Sequence, residues 1–341
     1  MRHPRDLSIA TVMLCGVMTL SLGGCHSAPK TSSTSDQPKA SHLREPTPEQ
    51  QEALASAQAA REEGNYDAAL AMFQELLAEN PTITVAYVGI GDVYMDTQDY
   101  EKAEPAYARA AKLEPRNFDA QFGHGLALQM LNRFVEAIRS FQRALTIDPD
   151  SLKANLAIAT TYLQMDQAQS ALIFAEKAVQ LDPASGTARV NLGAAYEKVG
   201  RNADAIEQYF TAMELVDDTA PLMMNLINVL SEERRYQEAV NTAENLVKIA
   251  PSANAWERLG WCHFRLANYD KSLHAYREAV KLDENHWQSW NGIGVNAINT
   301  WLLSKKRDTT AGNEAREAFR RSLRINGDQP KLVLLMSNNG L

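Results

Sequence analysis

Side chains capable of chemistry are few in this sequence, and they are scattered. His124, His263, His274 and His286 stand at unrelated places in the body of the chain, without the spacing that presents two metal ligands on one helix face. His3, His26 and His42 lie in the N-terminal stretch. There is no glycine-rich loop of the phosphate-binding kind and no Gly-x-Ser-x-Gly turn to expose a nucleophilic serine. The sequence therefore predicts no catalytic residues, no metal site and no cofactor. A formal charge of −8 argues against nucleic acid as the main partner, because phosphate contact needs a basic face. The charge reverses locally where Lys305, Lys306 and Arg307 precede Arg316, Arg320, Arg321 and Arg324. Arg316, Arg320 and Arg324 share one helix face, which reads as a solvated outer surface or as a surface for an acidic partner or anionic headgroups.

The residue whose neighbours prescribe a covalent reaction is Cys25. Arg2 and Arg5 supply a positive start, and Leu7 to Leu22 is an apolar stretch too short for a comfortable membrane span. It ends in Leu22-Gly23-Gly24-Cys25, which resembles the bacterial lipobox, where cysteine becomes the lipidated first residue of the mature protein. The resemblance implies a lipoprotein signal peptide over residues 1–24, lipidation of Cys25 and attachment to the membrane through that N-terminal lipid. His26 rather than aspartate follows, which by resemblance to enterobacterial lipoproteins favours the outer membrane, facing the periplasm. An uncleaved anchor and a plain secretory signal are the alternative readings. With Cys15 lost and Cys25 lipidated, Cys262 is the only thiol of the mature fold, so no internal disulfide is expected. The stretch 25–47 is rich in Ser, Thr, Pro and Lys and cannot bury enough apolar surface to order itself, so a lipidated N-terminus and disordered linker are expected.

The elements that must position any binding residue come from a period. Asn80-Pro81, Glu114-Pro115, Asp148-Pro149 and Asp182-Pro183 recur at a fixed interval, which lapses at Asp217 and returns at Pro251. A period in this range marks a stack of small identical units with one continuous core. Thr47-Pro48-Glu49-Gln50 opens the first unit as a capping box. In the second unit, Tyr87, Ile90, Gly91 and Tyr94 share one helix face, and Tyr100, Ala103, Tyr107 and Ala110 share another, so each unit reads as two antiparallel helices, A and B. Pro105 lies inside helix B of this unit and is expected to bend it.

This pattern resembles the tetratricopeptide repeat (TPR) family. Gly64, Tyr66, Ala69 and Phe73 carry it in unit one, and Gly125, Phe134, Ala137 and Phe141 in unit three. Ala159, Tyr162, Ala171 and Ala178 follow in unit four, then Leu192, Gly193, Tyr196 and Tyr209 in unit five. Unit six is weaker, with Leu230, Tyr236 and Ala239; unit seven has Trp256, Leu259, Gly260, Tyr269 and Tyr276. The resemblance implies an all-α, right-handed superhelical solenoid of about eight TPR helix-turn-helix repeats with a C-terminal capping helix. The array spans 48–329, divided at about 48–83, 84–117, 118–151, 152–185, 186–219, 220–252, 253–286 and 287–329, and the cap occupies 330–341. Unit eight keeps Trp290 and Gly294, runs helix A on past Asn299, and resumes the helix B pattern at Glu314, Ala315 and Phe319 after an insertion.

In TPR proteins one stripe of helix A lines a concave groove that holds a partner. Read onto this chain, that stripe holds Val85, Val88, Asp92 and Met95, then Phe122, Leu126 and Gln129, then Lys153, Leu156, Thr160 and Leu163. Asn228, Trp261, Phe264 and Asn291 continue it. Apolar residues dominate the first half, and an exposed apolar stripe marks a partner site unless its members pack on their own neighbours. Some TPR proteins grip a C-terminal carboxylate with a lysine and an asparagine of one repeat. Here Lys153 and Asn228 are two units apart, so an amphipathic or apolar peptide is the expected partner instead, with Trp261 and Phe264 as anchors.

Together these readings predict a non-catalytic scaffold lipoprotein of the bacterial cell envelope that binds protein or peptide segments. TPR lipoproteins that it resembles include pilus-assembly factors and adaptors for peptidoglycan enzymes. The other readings are a secreted, non-anchored TPR regulator and an enzyme with its site in the irregular unit eight. Oligomeric state is not legible in the sequence.

Overall fold

The computed structural model describes residues 45–217 and 219–341. The signal sequence, Cys25 and nearly all of the linker lie outside the described residues. Among those described there are 17 helices and no strand. They run in antiparallel pairs: α1 (Pro48–Glu62) with α2 (Tyr66–Glu79), α3 (Thr84–Asp96) with α4 (Tyr100–Leu113), α5 (Phe118–Met130) with α6 (Phe134–Ile147), and α7 (Leu152–Gln164) with α8 (Ala168–Leu181). The series continues with α9 (Gly186–Lys198) and α10 (Asn202–Met213), α11 (Ala220–Glu232) and α12 (Tyr236–Ile249), α13 (Ala253–Arg265) and α14 (Tyr269–Leu282), and α15 (Trp287–Leu303) and α16 (Thr309–Ile325), before α17 (Pro330–Asn339). Each helix packs chiefly on its predecessor and successor, which makes the fold an all-α TPR-type solenoid.

Local chemistry sets where each helix starts and turns. The Thr47 hydroxyl accepts from the Gln50 backbone N–H at 3.3 Å while Gln50 Oε1 accepts from Thr47 N–H at 3.2 Å, a reciprocal capping box. Asn117, Ser151, Ser185 and Ser252 cap later A helices through the same side-chain acceptor. Between A and B, one residue adopts a left-handed conformation. It is glycine at Gly64 and Gly200, but Gln98, Asn132, Asp166, Arg234 and Ala267 take it too, with φ between 57° and 60°. The residue after each of these donates its N–H to the carbonyl five residues back, as in Asp99 to Tyr94 at 2.8 Å and Asn268 to His263 at 2.9 Å. That bond closes the helix and reverses the chain, and outside Gly64 and Gly200 it comes at the strain cost of a side chain with positive φ.

The core is a file of aromatic rings seated on glycines. Phe141, fully buried, lies so close to Gly125 that a Cβ there would sit 2.5 Å from the ring. The Tyr107 ring is wedged between Gly91 of its own repeat and Gly123 of the next, and the Tyr276 ring between Gly260 and Gly292. Phe73 on Gly89, Tyr209 on Gly193 and Phe319 on Gly294 repeat the arrangement. Tyr107 and Tyr276 thereby pin helix B to the A helices of two successive repeats. Repeat six exchanges the sizes, with Ile227 where the glycine stands and Ala243 where the ring stands, both buried in one cluster.

Successive A helices touch each other, as α1 and α3, α3 and α5, and α13 and α15 do, while no comparable contact joins successive B helices. The A helices therefore lie on the inside of the curve. The A-to-A contact weakens between α9 and α11, beside Asp217, where the proline interval lapses. α4 continues unbroken through Pro105, which is exposed. In repeat eight the inserted residues form extra helix rather than a loop. α15 and α16 are 17 residues each, against 13 and 14 in α13 and α14. Helix A thus stops at Leu303, and helix B begins at Thr309, earlier than the resumption at Glu314. The added turns approach closely at Gly312, under the Trp301 indole. α17 lays Leu332 and Met336 over the terminal core around Phe319.

The ring-on-glycine packing predicts that Gly125→Leu lowers stability by about 1–3 kcal/mol through overpacking, and Ala137→Leu likewise. Ala267→Gly, relieving a side chain at φ 60°, should raise it by up to about 1 kcal/mol. Urea unfolding monitored by circular dichroism reads both, and unchanged midpoints in the leucine variants would mean that this face is not packed.

Candidate functional site

The stripe expected to line a groove does fall along the inner A helices, but most of its apolar members are not free. Val85 is the open one, 56% exposed. Val88 and Met95 are half-buried against the cluster around Tyr107, Phe122 and Leu126 against that around Phe141, and Leu163 against Ala171 and Leu172. Phe122 leans over Phe118 and Phe141, with ring centroids 5.7 and 5.5 Å apart. An exposed apolar stripe is thus replaced by a face of half-covered side chains; Leu156 also is half-buried, without membership of a core cluster.

Polar members of the stripe bridge neighbouring repeats. Asp92 accepts from Arg61 at 3.0 Å and from the Tyr107 hydroxyl, while Arg61 also reaches Asp96 at 2.7 Å. Burial pushes the Asp92 carboxyl above its ordinary range against the pull of these donors. Lys153 pairs with Asp119 at 3.2 Å and lies 5.0 Å over the Phe122 ring. Gln129 donates to Gln164 at 2.9 Å, and Thr160 accepts from Asn191 at 2.9 Å. Lys198 meets Asp166 across the same junction at 2.7 Å. These ties stiffen the stack and leave a mixed-polarity surface on top.

Two openings on this face lie toward its C-terminal half. Asn228 and Trp261 line a cavity of about 470 Å³ with Glu197, Glu232, Arg258 and Arg265. The Arg265 guanidinium stacks over Tyr236 and Trp261, 4.9 and 5.4 Å from the ring centroids. On the other side of Trp261 is a second cavity of about 320 Å³ between α13 and α15, which takes in Phe264 and Asn291 together with Glu257, Tyr276 and Trp287. The structure thus brings Trp261, Phe264 and Asn291 together, and sets Asn228 across Trp261 from them. Sequence reading missed Glu257, Tyr276 and Trp287. Glu257 is one helical turn from Trp261 and was findable on that spacing; the other two come from neighbouring helices.

Two histidines belong to hydrogen-bonded chains that resemble catalytic triads in connectivity. His124 sits between Ser140 Oγ and Glu104 Oε1, 3.2 Å from each. Ser140 is only 2% exposed, so its hydroxyl ties α6 to α5 and is not presented to a substrate. His286 likewise joins Ser289 at 2.9 Å to Asn254 at 2.8 Å. Among the described residues no group of three or more His, Cys, Asp or Glu could hold a metal. Cys262 is buried, and burial pushes its thiol up to about 11. Mass-spectrometric peptide mapping after iodoacetamide at about pH 8 should therefore find Cys262 unlabelled in the native chain and labelled in urea. Native labelling would mean that the repeat six and seven core opens readily.

The tetratricopeptide repeat pattern matches residues 54–87, 88–151, 156–219 and 253–286, with a further overlapping match over 128–175. Among characterised proteins, the chain is 29% identical over 91 residues to the tetratricopeptide repeat-containing protein trd-1 of Caenorhabditis elegans, covering 26% of this chain and 12% of that one. It is 34% identical over 79 residues to tetratricopeptide repeat protein 28 of Mus musculus, covering 23% of this chain and 3% of that one. The matches thus span a small part of those longer proteins. The solved structure of Pseudomonas aeruginosa pilF superposes with a TM-score of 0.54 at 18% identity, over 61% of this chain and 95% of that one. The C-terminal part of a TPR repeat-containing protein from Cytophaga hutchinsonii gives 0.59 at 16% identity, over 70% and 99%. At such identities the structures establish the shared fold alone. The repeat pattern extends over more than half of the sequence and coincides with the observed helix pairs, and the chain belongs to the tetratricopeptide repeat family.

Proposed function

We propose that this protein is a lipid-anchored scaffold of the bacterial cell envelope that holds a protein or peptide segment against its A-helix face. TPR repeats bind protein or peptide partners, and TPR proteins are generally non-catalytic scaffolds. The observation that carries the reading is the continuous inner face of half-exposed side chains, opening into two cavities around Trp261. Aromatic and arginine side chains at such openings dominate binding energies, and Trp261, Phe264 and Arg265 meet that description. The half-buried apolar stripe suits an amphipathic segment better than a wholly apolar one. Attachment through Cys25 and an outer-membrane position facing the periplasm are supported by the Leu22-Gly23-Gly24-Cys25 sequence and His26. Pilus assembly and peptidoglycan or envelope biogenesis are the processes in which such a scaffold fits.

The partner reading is tested by crosslinking intact envelopes and identifying what is captured with the wild-type chain and with a Trp261→Ala, Phe264→Ala double variant. The expected result is loss of a specific partner at unchanged protein level and helix content. A folded double variant that keeps every partner would remove Trp261 and Phe264 from the binding face. Anchoring is tested separately by metabolic palmitate labelling, which should be present in the wild type and absent in Cys25→Ala. Equal labelling in both would overturn the lipid attachment, and no labelling in either would favour a secreted, non-anchored form.

A further inference from the structure

The mid-helix tyrosines of three repeats show what one cavity lacks. In repeat two the Tyr107 hydroxyl donates to Asp92, and in repeat five the Tyr209 hydroxyl donates to Glu197 at 2.7 Å. Each buried phenol thus meets a carboxylate reaching back from helix A. Repeat seven has both components, Tyr276 and Glu257, lining one cavity between α13 and α15. Yet no hydrogen bond joins them, and the Tyr276 hydroxyl has no other partner among the described residues.

Glu257 is itself poorly matched. Its one ionic neighbour is the adjacent Arg258, whose Nε lies 3.5 Å from Oε2, and whose side chain also lines the other cavity beyond Trp261. Oε1 has no partner among the described residues. Burial raises the Glu257 carboxyl above its ordinary value, with only the weak pull of Arg258 against it. Asn291, which lines the same cavity, also has an unpaired oxygen. Asn291 donates Nδ2 to Gln329 Oε1 at 2.7 Å, and Gln329 is fixed in turn because its own amide donates to Ser322 and Asn326. That network sets the amide orientation and leaves Asn291 Oδ1 buried with no hydrogen-bond donor. The remaining walls are Trp261, Phe264 and Trp287, with Gln288, Gly292 and Val295.

A carboxylate without adequate donors, an unpaired phenol and three aromatic side chains surround about 320 Å³, with the unpaired Asn291 amide beside them. A cation satisfies all of these at once. An ammonium or guanidinium supplies several donors to the oxygens and is attracted by the ring faces, whereas an anion would meet Glu257 and a neutral apolar group would leave the oxygens unpaired. We propose that the cavity between α13 and α15 receives one cationic side chain, lysine or arginine, of the segment held on the A-helix face. The assignment rests on that face being the binding face and adds the specificity it exerts: the partner segment carries a basic residue where it crosses repeats seven and eight.

The test uses the full chain and small probes, so that it does not depend on identifying the partner. Nα-acetyl-lysinamide, Nα-acetyl-argininamide and the neutral isostere Nα-acetyl-norleucinamide are titrated while tryptophan indole N–H resonances are followed, assigned by single Trp→Phe variants. The cationic probes should saturably shift the Trp261 and Trp287 signals, and the norleucine probe should bind about tenfold more weakly or not at all. Glu257→Gln, which keeps the shape, should reduce the affinity of the cationic probes toward that of norleucine. Equal shifts from lysine and norleucine probes in the wild type, or cationic binding unchanged in Glu257→Gln, would overturn the proposal. If the probes bind as expected but the envelope crosslinks ignore Trp261 and Phe264, the cation site stands and the wider binding face is what fails.

Discussion

The structure depends on one repeated contact, an aromatic ring lodged where a glycine has no side chain. Phe73, Tyr107, Phe141, Tyr209, Tyr276 and Phe319 each occupy such a seat. Because a Cβ at these glycines would overlap the ring, the two residue types are mutually required, and neither can change alone. Tyr107 and Tyr276 touch glycines of two successive repeats, so the same side chain closes its own helix pair and docks the next. A chain built this way has no single centre; its stability is a sum of units and junctions.

The ring seats also determine the inner face. By drawing A helices together and leaving B helices outside, they create an inner surface whose side chains are half-covered by neighbours. Most of that surface is tied off by bridges such as Arg61 to Asp92 and Lys153 to Asp119. In the C-terminal half the bridges give way to openings around Trp261, where Glu257 and Tyr276 line one cavity without pairing. The face is therefore stiff along most of its length and chemically unsatisfied at one place. Such a place is where a partner gains most from binding, because it supplies donors that the protein lacks.

Much of the fold was legible because it obeys a period. Proline intervals, small residues and aromatics at helical spacing are enough to count the helix pairs, and Thr47 with Gln50 announces the first of them. The A–B turns were less legible. Only Gly64 and Gly200 advertise a left-handed residue, while Gln98 and Ala267 adopt the same φ under the compulsion of the closing hydrogen bond. The insertion in repeat eight read as an interruption, yet its residues extend two helices whose close approach depends on Gly312 meeting Trp301. The stripe expected to line a groove falls along the A helices, but its exposure was overstated. Phe122 lies in that stripe and still turns its ring onto Phe141, a contact set by tertiary distance rather than by sequence spacing. The cavity at Glu257 was invisible for the same reason, since it exists only through the separation of α13 and α15.

The central claim is that partners are held on the A-helix face. Site-specific photo-crosslinking reads it most directly, with a photoreactive residue placed in turn at Leu126 and Asn228 on the A helices, and at Ile173 and Phe210, exposed on the B helices. The account predicts discrete adducts from the first pair in intact envelopes and none from the second. Adducts confined to Ile173 and Phe210 would place the partner on the outer face and contradict it.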